Sequence, residues 1–163
     1  MTMKDRRVAA FERVLSRRRQ QDRKLNAALA GLRGESAALA GALGERVAAV
    51  EAQVAELARQ DRKIDAMLGG SSFRADEYLA LNDFRSQAAA QQVALETQAQ
   101  QAQQALAAKE RQVGEARMRI LRNRARIDIY DKRRDALVKA IELAIEDAQD
   151  EEASESRRPR ANA

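Results

Sequence analysis

The apolar residues of the first 68 positions recur in steps of three and four. Val8, Phe11 and Leu15 are followed, after a polar gap, by Leu25, Leu29, Leu32, Leu39 and Leu43, and then by Val47, Val50, Val54, Leu57, Ile64 and Leu68. Such alternation marks the a and d positions of a coiled-coil seam, a narrow apolar stripe along a long helix. A second series begins at Leu81, Phe84, Ala88, Gln91 and Leu95 and passes through Ala99, Ala102, Leu106, Lys109, Val113, Ala116 and Ile120. It continues through Asn123, Ile127, Tyr130, Arg134, Leu137 and Ile141 to Ala144 and Ala148. Between the two series stand Gly69, Gly70, Ser71 and Ser72, where two glycines and two serines come together.

That short stretch is a linker between two independent helices or the bend of one hairpin. Leu39, Leu43 and Val47 are spaced four and four, a stutter that locally unwinds a supercoil, and the second series slips between Gln91 and Leu106. Folding the chain near Ser71 sets these two slips opposite each other. Facing helices must share a local pitch, so the expectation is an all-α fold: two long helices in an antiparallel coiled-coil hairpin. The hairpin is expected over residues 1–152, with helix one at about 4–68, the bend at 69–73, helix two at about 74–150, and 153–163 as a disordered tail. Gly69 or Gly70 is expected in the left-handed conformation that ends a helix. Ser72 is expected to cap the second helix, with Asp76 and Glu77 favouring the positive end of its dipole. A monomer with arms of roughly 100 Å follows from a rise of about 1.5 Å per residue.

Two near-duplicate segments, 27–36 and 37–46, place Gly31, Gly34, Gly41 and Gly44 inside the first helix, facing an Ala- and Gln-rich segment, 87–110. Small residues on both sides suggest a close approach of the helices, and either low-complexity drift or a compliant waist accounts for them.

Composition narrows the class. There is no Cys, no His, no Trp and one Pro, and aromatics make up 3% of 163 residues. Helix formers dominate, and a thin seam takes the place of an aromatic-rich core. Without imidazole or thiol, the usual acid–base, nucleophilic and zinc chemistries have no residues to use. No glycine-rich phosphate loop follows a strand. The expectation is therefore a protein that is not an enzyme, with no cofactor, no metal and no small-molecule substrate. No apolar run spans a bilayer. The Arg-rich start is interrupted by Asp5 and Glu12, unlike an organelle transit peptide.

Charge is concentrated. Residues 1–34 carry ten Lys/Arg against three Asp/Glu, and residues 109–139 carry eleven against five, while the stretches 35–108 and 140–163 are each net acidic. In a hairpin the two basic segments lie side by side, and like charges facing across a seam are expected to loosen it. The same runs also suit an ordinary solvated helix face. The functional alternative is a docking end for an acidic partner, followed by an acidic tail, 145–156.

The layout resembles the FliJ/YscO family of stalk proteins from flagellar and injectisome type III export systems. Phe11, Val14, Leu15, Arg18 and Gln21 match the family's opening, where an aromatic and a Val-Leu pair precede arginines and glutamines. The basic second helix, 123–142, passing into acidic residues, is similar to the injectisome branch. The resemblance implies a cytoplasmic stalk at the base of a membrane secretion apparatus. It implies as partners a hexameric export ATPase, the cytoplasmic ring of the export gate and export chaperones. The expected ATPase-docking residues are Arg17, Arg18, Arg19, Arg23, Arg122, Arg124, Arg126 and Arg133. The expected gate or chaperone contacts are Phe73, Tyr78, Leu81 and Phe84 near the bend, which equally suit a plug that closes it. The Gly-dotted first helix and Arg-dense second helix depart from the family pattern. An Arg-rich coiled coil that binds nucleic acid is the alternative. It is disfavoured because Tyr130 is the one aromatic within the Arg-rich stretches 16–24 and 117–134, so no nucleic acid is expected as a partner. A helix lying on an anionic membrane is a further rival, with a stripe already claimed by the partner helix.

Overall fold

The computed structural model describes residues 3–157, almost all of them in two helices, α1 (Met3–Leu68) and α2 (Ala75–Ser156). The helices pack against each other as a helical hairpin, and the described residues include no strand. The chain divides into two units. One joins residues 3–29 of α1 to residues 116–157 of α2, and the other is the continuous segment Ala30–Glu115.

In the continuous unit α1 and α2 run antiparallel. Glu35 pairs with Lys109, Arg46 with Gln98, Gln53 with the carbonyl of Ala88, and Asp61 with Arg85. In the basic unit the direction is the same: Arg18 meets Asn123, and Asp22 meets Arg124.

The seam is an unbroken heptad alternation, and the two expected slips are absent. Beyond Leu39 and Leu43, the α1 positions turned towards α2 are Arg46, Val50, Gln53, Leu57, Gln60, Ile64 and Met67. Val47, Val54 and Leu68, expected on the seam, are exposed. On α2 the seam takes Arg85 and Gln92 where Phe84 and Gln91 were expected. The apparent stutters came from following hydrophobicity where long polar side chains hold the inward positions. Arg, Gln and Lys can lay their aliphatic stems along a shallow seam and bond across it with their heads. The hairpin stands, but continuous periodicity carries it and not a matched pair of defects.

The bend is built differently from the expectation. No described residue, glycine included, has a positive φ. Instead α1 tightens as it ends: the Gly69 N–H donates to Asp65 O at 2.9 Å, and the Gly70 N–H reaches back three residues to Met67 O at 3.4 Å. Such tighter bonds satisfy carbonyls left open at a helix C-terminus. The Tyr78 N–H donates to Arg74 O at 3.0 Å, so Arg74, not Ser72, stands at the cap of α2. Its guanidinium bridges to Glu77 at 2.7 Å in the first turn, where Asp76 and Glu77 meet the positive end of the helix dipole.

Two further expectations change. A Cβ added at Gly31, Gly34, Gly41 or Gly44 would meet nothing within 4 Å, so these glycines face open space and bring no helices together. At its other end α2 continues to Ser156, making residues 153–156 helical where a tail was expected, and residues 158–163 lie outside the described residues. Seven acidic residues and no basic one stand between Glu142 and Glu155, and the high content of helix formers carries the helix on without a packed seam. Beyond Ile141 no described residue of α2 is even half-buried.

Candidate docking surfaces

The basic unit is the best packed of the expected sites. Leu15 is 1% exposed, and Leu29, Ile120 and Asn123 are buried with it. Phe11 and Tyr130 meet as tilted rings with centroids 6.2 Å apart, a favoured arrangement for two aromatics. Asn123 is a buried polar seam residue with both halves of its amide used. Its Nδ2 donates to Arg18 O at 3.0 Å, and its Oδ1 accepts from the Arg18 guanidinium at 3.4 Å.

Like-charge repulsion across this seam was expected, but opposite charges face each other there. Arg19 bridges to Asp131 at 3.1 Å, and Arg124 bridges to Asp22 at 3.2 Å. Asp131 also accepts from Arg134 at 3.1 Å. Two of the acids inside the basic segments, Asp22 and Asp131, thus stand where the helices meet, while Glu12, Asp128 and Asp135 are exposed.

This division sorts the eight expected docking arginines. Arg18, Arg19 and Arg124 are committed to partners within the hairpin. Arg17, Arg23, Arg122, Arg126 and Arg133 are exposed and have no hydrogen-bond or ion-pair partner among the described residues. Arg122, Arg126 and Arg133 each stand immediately before an inward residue, which sets them along the flank of α2. Arg17 and Arg23 flank the inward positions Arg18 and Asp22 of α1. Which arginines are free depends on rotational position and register, and neither is written in a charge count.

At the bend Phe73 and Tyr78 form a tilted ring pair with centroids 5.6 Å apart. Phe73 remains 55% exposed in spite of that contact, and Phe84 is 51% exposed. Tyr78 and Leu81 are half-buried towards the seam. The four expected residues therefore do not form one surface: Phe73, Phe84 and the neighbouring Leu79 point outwards, while Tyr78 and Leu81 help to close the bend.

An open groove of about 590 Å³ lies in the basic unit between the start of α1, at Met3, and Ile141, Ala144 and Ala148 of α2. Among the described residues no group of His, Cys, Asp and Glu side chains is placed to hold a metal ion. No helix there is long and apolar enough to cross a membrane.

Comparison with known families decides the machinery. A family model described as bacterial type III secretion protein (HrpB7) matches residues 6–158. The chain belongs to the HrpB7 family of type III secretion proteins. The resemblance to FliJ/YscO stalk proteins led to the same secretion machinery, but the family that matches is HrpB7. Membership associates the chain with the type III secretion apparatus. No curated protein and no solved structure matches the chain.

Proposed function

We propose that this HrpB7-family protein is a cytoplasmic central stalk of a type III secretion apparatus, similar in role to the FliJ/YscO proteins. It links a hexameric export ATPase to the export gate and stimulates the ATPase. The observation that carries the reading is the sorting of charge in the basic unit. Acids neutralise the seam, and Arg17, Arg23, Arg122, Arg126 and Arg133 are left unpaired on the outside. A surplus held outward on a stiff helical pair steers association with an acidic ring. Phe73 and Phe84 at the bend offer a second, apolar contact of the kind a gate component or an export chaperone would cover. Two chemically different surfaces on one helical hairpin suit an adaptor between two partners.

Adding the protein to its cognate ATPase should raise the hydrolysis rate, and added salt should weaken the effect. The paired reversals Arg17→Glu with Arg23→Glu, or Arg122→Glu with Arg126→Glu, should abolish stimulation while helicity by circular dichroism persists, because none of these side chains holds the seam. Reversal of Asp76 and Glu77 should leave stimulation intact. If the bend variant loses stimulation and the arginine variants keep it, the two surfaces are assigned backwards. If no variant matters, the stalk reading loses its mechanism.

A further inference from the structure

Within the basic unit α2 carries a second apolar stripe that the hairpin does not use. Met118, Leu121 and Ile129 are 49%, 58% and 48% exposed, and Ala125 between them is exposed as well. At about 100° per residue these four fall within an arc of about 80°, on the opposite side of the helix from Ile120, Asn123 and Ile127. The stripe has a basic edge. Arg119, Arg122, Arg126 and Arg133 run along one side of it, all exposed and without a partner among the described residues.

We infer that this outer face of α2 is a helix-docking surface whose occupant is an acidic amphipathic helix of a partner protein. The inference rests on the reading of the basic segment as a docking site, and it names the element that docks there. Three features select the occupant. The steps from Met118 to Leu121, Ala125 and Ile129 are three, four and four, which lays the last three along one i, i+4 ridge of the kind that packs into the groove of a second helix. The stripe is narrow, as a helix–helix seam is, whereas a helix that lies in a membrane interface presents a wider apolar face. The arginines beside it call for carboxylates at the flanking positions of the incoming helix. A nucleic acid would satisfy the arginines but leave Leu121 and Ile129 facing phosphate or water, so the apolar stripe argues against it.

The test uses the full chain and a fluorescently labelled synthetic peptide of roughly three heptads, with Leu and Ile at its a and d positions and Glu at the flanking ones. Fluorescence anisotropy should show binding that weakens with salt. The double variant Leu121→Gln with Ile129→Gln should lower affinity at least about tenfold, as loss of a central apolar anchor does. Because both residues are exposed, circular dichroism should be unchanged. The variant Arg122→Glu with Arg126→Glu should lose binding too. A scrambled peptide of the same composition that binds equally well would overturn the inference in favour of bare charge. So would Leu121- and Ile129-dependent co-sedimentation of the chain with anionic vesicles, or tighter binding of single-stranded RNA that the Gln variant leaves intact. Sedimentation showing a dimer of the chain that the Gln variant breaks would replace the partner with a second copy. The peptide contains nothing of the ATPase, so its binding and the stimulation of hydrolysis can fail independently.

Discussion

The two units of the hairpin are built from the same heptad and hold together differently. In the basic unit the inward positions include Leu15, Leu29 and Ile120, the ring pair of Phe11 with Tyr130, and the buried amide of Asn123. In the other unit the seam's Leu, Val and Ile positions are interrupted by Ser36, Arg46, Gln53, Gln92, Ala99 and Ala102, with Ala88 and Val113 its buried apolar residues and Gln60 its buried polar one. Charge density alone suggests the reverse ranking, with the arginine-rich unit the looser of the two. Net charge says little about a seam when even two of the minority charges stand on it. Asp22 and Asp131 take the inner places, and the excess arginines face water, where repulsion is screened.

Substitutions in the two units separate these two ways of holding a seam together. The largest effect is expected at Leu15. Leu15→Ala should cost about 3 kcal/mol in urea unfolding, the range for emptying a buried leucine site, while Val54→Ala on the exposed flank of the other unit should change stability by less than about 0.5 kcal/mol. Equal costs would mean that the seam is misplaced. Next, replacing Gly31, Gly34, Gly41 and Gly44 together by Ala should stabilise the Ala- and Gln-rich unit. Each site gains at least about 0.5 kcal/mol from lost backbone freedom, or about 2 kcal/mol in all, because the added methyl groups meet no neighbour. A fall in melting temperature would show that the glycines are needed for something other than space.

A smaller effect is expected at Asn123. Asn123→Ala should cost about 1–2 kcal/mol by removing a buried amide that bonds to Arg18, whereas Asn123→Leu should match or exceed the stability of the natural chain. If Leu costs as much as Ala, the amide contributes net stability beyond its register-setting bond. The smallest effect belongs to Glu56 in the other unit. The Gln60 side-chain amide at 2.7 Å and the Arg59 guanidinium hold its carboxyl below the usual carboxylate range. A depressed carboxyl contributes stability that is present above its ordinary range and lost as pH falls through the lowered value. Glu56→Gln should therefore lower stability slightly at neutral pH and leave it unchanged in acid, which flattens the acid limb of a stability–pH curve. An unchanged acid limb would assign that limb to other carboxylates.

Much of the fold was legible in the sequence. The glycine and serine cluster marked the bend, and α1 ends at Leu68 as expected. The seam was legible only where apolar residues occupy it. At Arg46, Gln53, Arg85 and Gln92 the inward residue is long and polar, and a neighbouring Val, Phe or Gln drew the reading off by one. Of the docking residues, the basic segments were visible as charge, but the separation of Arg19 and Arg124 from Arg17 and Arg122 required the register. The outer stripe of α2 had a signal in the sequence: Met118, Leu121 and Ile129 form a second series interleaved with Ile120, Asn123 and Ile127. One seam suffices to specify a hairpin, and the stronger series masks the weaker one.

The bare stretch of α2 beyond Ile141 behaves as a polymer more than as a folded part. A helical segment of this length with no packed face sits close to the balance point between helix and coil, where nucleation is costly and each further residue adds little. Continuity with the packed part of α2 supplies the nucleus, so winding of the stretch needs no new nucleation. Relaxation of this kind takes on the order of a microsecond or less. Whatever meets that stretch would therefore meet a variable length of acidic helix, and binding would select how much of it is wound.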